Sequence, residues 1–206
     1  MCIRDRDGIV ETFYPDGGKQ STRDMDGGPC RAWHPNGKLS LEGAYDYRGK
    51  EDGLWKSYYE SGVLKSEVEY DRGQMEGTFK KWFENGNLEE AGNYDYSGRK
   101  DGRWTIYFEN GKLKKELNYD DGILHGDYIE HFENGKLRIA GAYQRGTIYG
   151  DYTEYYENGK PKLSGRYRNA GEEGEWKSYF EDGTVQSSQV YSCLLYTSPS
   201  PRDRYI

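Results

Sequence analysis

Side chains able to do covalent or metal chemistry are few in this chain, and their spacing does not suit it. The three histidines are His34, His125 and His131. His125 and His131 are six residues apart, roughly 20 Å along a strand at about 3.3 Å per residue, so they are not expected to share a metal ion. All three read instead as aromatic substitutes within a repeating pattern or its connections. To act as a nucleophile Cys30 would need a base and an orienting group; the sequence offers neither, and the residue reads as a small buried hydrophobe. Acidic pairs such as Asp120-Asp121 and Glu172-Glu173 fall where loops are expected and read as loop charges, not catalytic dyads. The chain holds 28 glycines, but no Lys-Ser or Lys-Thr follows them at the spacing of a phosphate loop. A protein without catalytic residues, metal or cofactor is expected.

What the chain has in abundance is rings. Aromatic residues make up 16% of it and include 21 tyrosines, within a hydrophobic content of only 33%. Low hydrophobicity with high charge suggests disorder, but disordered chains are poor in aromatics, and each buried ring removes a large apolar area from water. A folded chain with a thin aromatic core is therefore expected. The two ends read as foreign to it. Met1-Cys2-Ile3-Arg4-Asp5 and Cys193-Leu194-Leu195-Tyr196-Thr197 can be encoded by complementary DNA strands, as in a translated sequencing adapter, and such scars are set aside in fold reasoning. On this reading residues 1–6 and 193–206 are adapter-derived, the latter disordered; the repeats occupy residues 7–192, and the native start lies outside the sequence. Without Arg4, Arg6, Arg202, Arg204, Asp5 and Asp203 the net charge moves from −7 to −9. An acidic chain is a poor partner for nucleic acid or an anionic membrane. Only Cys30 then remains, so no disulfide framework is expected. No stretch approaches the length of a membrane span, and the localisation is left open.

The elements that would position the rings are announced by glycine. Gly17, Gly37, Gly62, Gly86, Gly111, Gly135, Gly159 and Gly183 recur about every 24 residues, and each has a second glycine nine residues earlier, from Gly8 to Gly174. The residue before the turn glycine is Asn five times, Asp twice and Ser once. A fixed period marks a repeat architecture, and Asn-Gly between alternating segments signals a two-residue type I′ hairpin in which both turn residues take positive φ. Eight hairpins follow, joined by polar stretches such as Asp71-Arg72-Gly73-Gln74-Met75-Glu76 that read as wider turns. Two of these, Tyr45-Asp46-Tyr47-Arg48-Gly49 and Tyr94-Asp95-Tyr96-Ser97-Gly98, are nearly the same segment. The expected fold is all-β: tandem hairpin repeats forming one elongated, twisted antiparallel meander of about sixteen strands. Its turn determinants are Gly37, Gly62, Gly86, Gly111, Gly135, Gly159 and Gly183.

Two-residue turns would fix the register. Phe83 would face Leu88, Phe79 would face Gly92 and Gly77 would face Tyr94. In the fifth hairpin Phe108 would face Leu113 and Trp104 would face Leu117, and in the sixth Phe132 would face Leu137 and Tyr128 would face Gly141. Rings opposite small or aliphatic partners stabilise a hairpin and cover exposed glycine backbone. Alternation then puts Trp55, Tyr59, Leu64, Val68 and Tyr70 on one apolar face. The other face carries Lys56, Lys65, Glu67 and Glu69 with one recurrent ring: Trp33, Tyr58, Trp82, Tyr107, Tyr155 and Tyr179, with His131 in the sixth hairpin. This outer row is the candidate binding surface; the alternative is that it only packs within a rolled sheet.

The unit Asp52-Gly53-Leu54-Trp55-Lys56-Ser57-Tyr58-Tyr59-Glu60-Ser61-Gly62, echoed by Asp101-Gly102-Arg103-Trp104-Thr105-Ile106-Tyr107-Phe108-Glu109-Asn110-Gly111, resembles the MORN repeat in its bacterial variant. It is similar to the repeats of YwqK-type antitoxins. The resemblance covers essentially residues 7–191 and implies an elongated β-repeat protein that binds protein, in its concrete form a toxin. The glycine-dense strands of the usual eukaryotic pattern are not present, which with the acidic charge argues against membrane attachment. A carbohydrate or cell-wall ligand is the alternative, since aromatic hairpins with Asn-Gly turns also occur in wall-binding repeats, and a structural appendage of a larger protein is a third reading.

Overall fold

The computed structural model describes residues 2–4 and 8–192. The described elements are all strands: β1 (Cys2–Arg4), β2 (Ile9–Phe13), β3 (Lys19–Asp24), β4 (Gly28–Trp33), β5 (Leu39–Tyr45), β6 (Glu51–Tyr58), β7 (Leu64–Asp71), β8 (Gln74–Trp82), β9 (Leu88–Tyr94), β10 (Lys100–Tyr107), β11 (Leu113–Asp120), β12 (Ile123–Leu124), β13 (Gly126–His131), β14 (Leu137–Gln144), β15 (Thr147–Tyr155), β16 (Pro161–Arg168), β17 (Gly171–Tyr179) and β18 (Val185–Tyr191). They form one sheet in which consecutive strands pair antiparallel, except that β12 and β13 both lie against β11 as two parts of one interrupted strand. The eighteen strands exceed the sixteen expected because β12 is split from β13 and because Cys2–Arg4 pairs with β2. Residues 2–4, expected to lie outside the repeats, thus add a strand to the sheet. Residues 193–206, read as adapter-derived, lie outside the described residues.

The corners within the hairpins, five of them Asn-Gly, are not type I′ turns. At each of the eight, the glycine N–H donates to the carbonyl three residues back, and that same residue donates its N–H to the residue after the glycine, as in Gly86 N to Phe83 O at 2.9 Å and Phe83 N to Asn87 O at 2.8 Å. This is a three-residue loop: a type I turn closed by a left-handed residue. Only the glycine is left-handed, with φ between 79° and 91° at Gly37, Gly62, Gly86, Gly111, Gly135, Gly159 and Gly183. The asparagine serves by side chain instead. Asn85 Oδ1 accepts the N–H of Asn87 at 2.9 Å, and its Nδ2 donates to Glu109 O of the next hairpin at 2.8 Å.

True two-residue turns with two positive φ angles occur in the connections that the sequence suggested were wider: Arg72-Gly73, Asp121-Gly122, Arg145-Gly146 and Asn169-Ala170. Ala170 holds a φ of 64° where the other three have glycine. A side chain in that region costs about 1–2 kcal/mol, more than the ~0.4–1 kcal/mol of extra chain entropy that glycine brings to the unfolded state. Ala170→Gly should therefore stabilise by roughly 0.5–1 kcal/mol, read as a higher urea midpoint; an unchanged or lower midpoint would contradict the turn geometry.

Register away from the corners follows the expectation: Gly77 pairs with Tyr94, Phe79 with Gly92, Trp104 with Leu117 and Tyr128 with Gly141. Next to the corners it does not. Phe83, Phe108 and Phe132 enter the loop, and Leu88, Leu113 and Leu137 pair instead with Trp82, Tyr107 and His131. The longer loop displaces the register by one, and an unpaired residue in the next strand, Glu89 in the fourth hairpin, restores it. Cross-strand partners share a face, so Leu64, placed with Trp55 by simple alternation, in fact faces Tyr58.

The earlier glycine of each pair has its own purpose. Between hairpins the ladder is broken by a bulge in which three residues oppose one: Gly53-Leu54-Trp55 against Gly43, Gly102-Arg103-Trp104 against Gly92, and Gly174-Glu175-Trp176 against Gly165. Gly53, Gly102 and Gly174 take φ of 72°, 64° and 71°, a conformation glycine alone adopts freely. The bulge lays each tryptophan on the glycine opposite. A Cβ built on Gly43, Gly92 or Gly165 would overlap the ring of Trp55, Trp104 or Trp176. The ring over Gly92 is thus not its hairpin partner Phe79, as the cross-strand reading had it, but Trp104 of the next hairpin. Each indole N–H donates to a carbonyl of the interrupted ladder: Trp55 to Ala44 at 3.1 Å, Trp104 to Asn93 at 3.1 Å and Trp176 to Arg166 at 3.2 Å. Tyrosines close on the rings edge-on, Tyr45 at 4.9 Å from Trp55, Tyr94 at 5.2 Å from Trp104 and Tyr167 at 4.8 Å from Trp176.

Candidate interaction surface

The outer row is built by the last residue of each strand before a corner. Trp33, Tyr58, Trp82 and Tyr107 pair with Leu39, Leu64, Leu88 and Leu113, and Tyr155 and Tyr179 with Pro161 and Val185. All six are half-buried. Their backbone is tied into the fold from the preceding hairpin: Tyr14 Oη donates to Trp33 O, Tyr59 Oη to Trp82 O and Tyr156 Oη to Tyr179 O, at 2.7–2.8 Å. His34 Nε2 sits 2.9 Å from Tyr58 O in the same relation, which explains an imidazole in an aromatic position. His131 occupies the outer row of the sixth hairpin, half-buried and with a buried Nδ1 that has no hydrogen-bond partner among the described residues.

Several phenols bond carboxylates. Tyr58 Oη donates to Glu42 at 2.6 Å, Tyr128 Oη to Glu130 at 2.5 Å and Tyr152 Oη to Glu154 at 2.8 Å. Glu130 is itself 4% exposed, bonded also by Arg138 at 2.6 Å and facing Lys115 at 3.4 Å. Burial works against its charge, but the Tyr128 hydroxyl and the two cations outweigh it and hold the carboxyl below its ordinary value. Burial, helped by the Glu42 bond, pushes the Tyr58 phenol up to about 12, and the phenols of Tyr128 and Tyr152 are raised the same way. A phenol raised in the folded state ionises near 10 in the unfolded chain. Above that pH the unfolded chain holds fewer protons, so stability is full below about 10 and falls as pH rises towards 12. Urea midpoints should decline over that window alongside a delayed phenolate absorbance, and a midpoint constant throughout it would contradict the buried phenols.

Large apolar side chains are exposed along the other edge of the sheet, at the turns between hairpins. Met25, Tyr47, Met75, Tyr96, Ile123 and Tyr149 lie in or just after six successive turns, with Tyr47 73% and Tyr96 77% exposed. Asp46 and Asp95 hold their loops: the Asp46 carboxylate accepts the N–H groups of Lys50 and Arg48, and that of Asp95 those of Arg99 and Ser97. These bonds keep both carboxyls below their usual range. Glycine N–H groups bond turn to neighbouring hairpin, Gly73 to Glu51 O at 2.7 Å and Gly122 to Lys100 O at 2.9 Å. Hydrophobic alternation does not reveal this row: it assigns rings to strand faces, whereas Tyr47 and Tyr96 lie past the last paired residue of their strands and Met75, Ile123 and Tyr149 fall within three residues after a turn.

A groove of about 660 Å³ lies at the sixth to eighth corners, lined among others by Phe132, Arg138, Ile139, Glu154, Tyr155 and Tyr156. Cys30 is buried, and that burial raises its thiol pKa. Among the described residues no three His, Cys, Asp or Glu side chains gather as a metal site.

No curated protein matches the chain. The sequence profile of the MORN repeat variant matches residues 51–72, 75–96, 100–121, 124–144, 148–169 and 172–192. Each matched segment closes its corner with the hydrogen bonds described above, and four of them, 51–72, 100–121, 148–169 and 172–192, set a ring against a glycine of the hairpin before, Trp55 on Gly43, Trp104 on Gly92, Tyr152 on Gly141 and Trp176 on Gly165. The first two hairpins, β2–β3 and β4–β5, precede the matched segments but close their corners with the same pair of hydrogen bonds. With more than half of its length matched, the chain is a repeat module that belongs to the MORN repeat variant family.

Proposed function

We propose that this chain is a non-catalytic module that binds protein, and that the contact runs along the edge of inter-hairpin turns. The observation that carries this reading is the row Met25, Tyr47, Met75, Tyr96, Ile123 and Tyr149, one exposed apolar side chain at each of six successive turns. Exposed tyrosines on a rigid scaffold are favoured contact anchors, and a quasi-one-dimensional sheet repeats them over a long surface. The half-buried outer row, Trp33 to Tyr179, is a second contact face on this reading. By resemblance to YwqK-type antitoxins, the concrete form is a protein that neutralises a toxin. Nucleic acid and anionic membrane are poor partners for a chain of this acidity.

The test is affinity capture with the double variant Tyr47→Ser, Tyr96→Ser beside Trp82→Ala and Tyr107→Ala. Loss of two anchors should weaken binding at least about thirtyfold while the urea midpoint stays put. Undiminished binding by the tyrosine pair, with loss in the outer-row variants at unchanged stability, would move the contact to the face. A carbohydrate or cell-wall ligand is the second reading, favoured by the rings of Phe132, Tyr155 and Tyr156 beside polar groups in the groove. Sedimentation with peptidoglycan in the absence of any protein partner would put it first.

A further inference from the structure

The column of Asn-Gly corners is stitched from hairpin to hairpin, and one stitch is missing. Asn36, Asn85 and Asn158 donate Nδ2 to Glu60 O, Glu109 O and Glu181 O of the following corner at 2.7–2.8 Å. Asn110 reaches the Glu133 carboxylate at a longer 3.4 Å. Asn134 accepts the N–H of Lys136 at 2.9 Å like its counterparts, but among the described residues its side-chain nitrogen has no partner. The equivalent acceptor for Asn134, Glu157 of the next corner, lines the groove at this end of the column.

From this we propose that Asn134 is the site where the folded chain deamidates. The Gly135 backbone nitrogen attacks Asn134 Cγ, a new C–N bond closes a five-membered succinimide, and the side-chain amide leaves as ammonia with the proton that the glycine nitrogen gives up. Water then opens the ring at one carbonyl or the other, giving isoaspartate or aspartate. Glycine offers the attack no Cβ in the way. The Gly135 N–H is held by Phe132 O at 2.8 Å, but Gly111 and Gly159 are held equally at 2.8 Å, so this restraint does not separate the corners. What separates them is the leaving amide, anchored to Glu181 O in Asn158 and unanchored in Asn134. The product would add a carboxylate beside Glu133 where the column is already open.

The chain carries its own control. Glu-Asn-Gly-Lys occurs at 109–112, 133–136 and 157–160, so the reacting pair and its immediate neighbours are the same at all three sites. The full chain is incubated at mildly alkaline pH, native and in denaturant, and the mass gain of about one dalton is followed peptide by peptide. In the native chain Asn134 should react about fivefold faster than Asn158, the factor one hydrogen bond is worth, with Asn110 between them. In denaturant the three rates should converge. A native rate for Asn134 no higher than that for Asn158, or a ranking that survives denaturation, would overturn the proposal.

Discussion

Replacing Trp104 by alanine should lower the free energy of unfolding by about 3–5 kcal/mol, the range for emptying a buried large aromatic site. At 1% exposed it is the most enclosed side chain described. Its ring stacks on Phe79 at 5.5 Å, meets Tyr94 at 5.2 Å and Tyr119 at 6.3 Å edge-on, and lies under Lys100 Nζ at 3.7 Å. The substitution also leaves Asn93 O without the indole N–H. Because Phe79 and Tyr94 come from the hairpin before and Tyr119 from its own, the loss falls on the interface between repeats, and in a linear array that interface carries the cooperativity. Urea unfolding followed by circular dichroism should show a lower midpoint and a broader transition; a loss under about 1 kcal/mol would show that the ring is not the joint.

The second large effect comes from adding a single methyl group. Glycine within a strand is usually a weakness of about 0.5–1 kcal/mol relative to alanine, so Gly92→Ala would stabilise an ordinary strand. Here the added Cβ would enter the Trp104 ring, and overpacking of this kind costs about 1–3 kcal/mol. The clash exceeds the gain, so the variant should be destabilised by roughly 1–2 kcal/mol. Gly141 is the graded comparison, since its Cβ would stand 3.1 Å from Tyr152, and Gly141→Ala should be milder. Equal midpoints for wild type and Gly92→Ala would mean that the ring has room to move.

Hairpin number and the register of the strand interiors were legible because positive-φ glycines recur at a fixed interval and rings alternate between them. Register was right for a partly wrong reason: the loop at Glu84-Asn85-Gly86 is one residue longer than expected, and the unpaired Glu89 cancels the difference. Asn-Gly suits both a two-residue and a three-residue loop, and nothing local to Asn85 decides between them. The tie from Asn85 Nδ2 to Glu109 O does not decide it either, since Asn134 closes the same loop without one; such ties are contacts between repeats that no single hairpin reveals. The same blindness hid the role of Gly53, Gly102 and Gly174, whose bulges exist only against the preceding hairpin. It also hid the exposed row, for Tyr47 and Tyr96 belong to the same aromatic inventory as Tyr45 and Tyr94 and differ only in lying beyond the last paired residue.

The joint between repeats, a ring seated on the glycine of the hairpin before it, can be measured as a coupling. In a double-mutant cycle of Gly92→Ala with Trp104→Ala, the alanine at 92 should destabilise the wild type yet be neutral or stabilising by about 0.5–1 kcal/mol once the ring is gone, for an interaction energy near 2 kcal/mol. Additive effects, with alanine at 92 equally harmful in both backgrounds, would mean that Trp104 does not rest on Gly92.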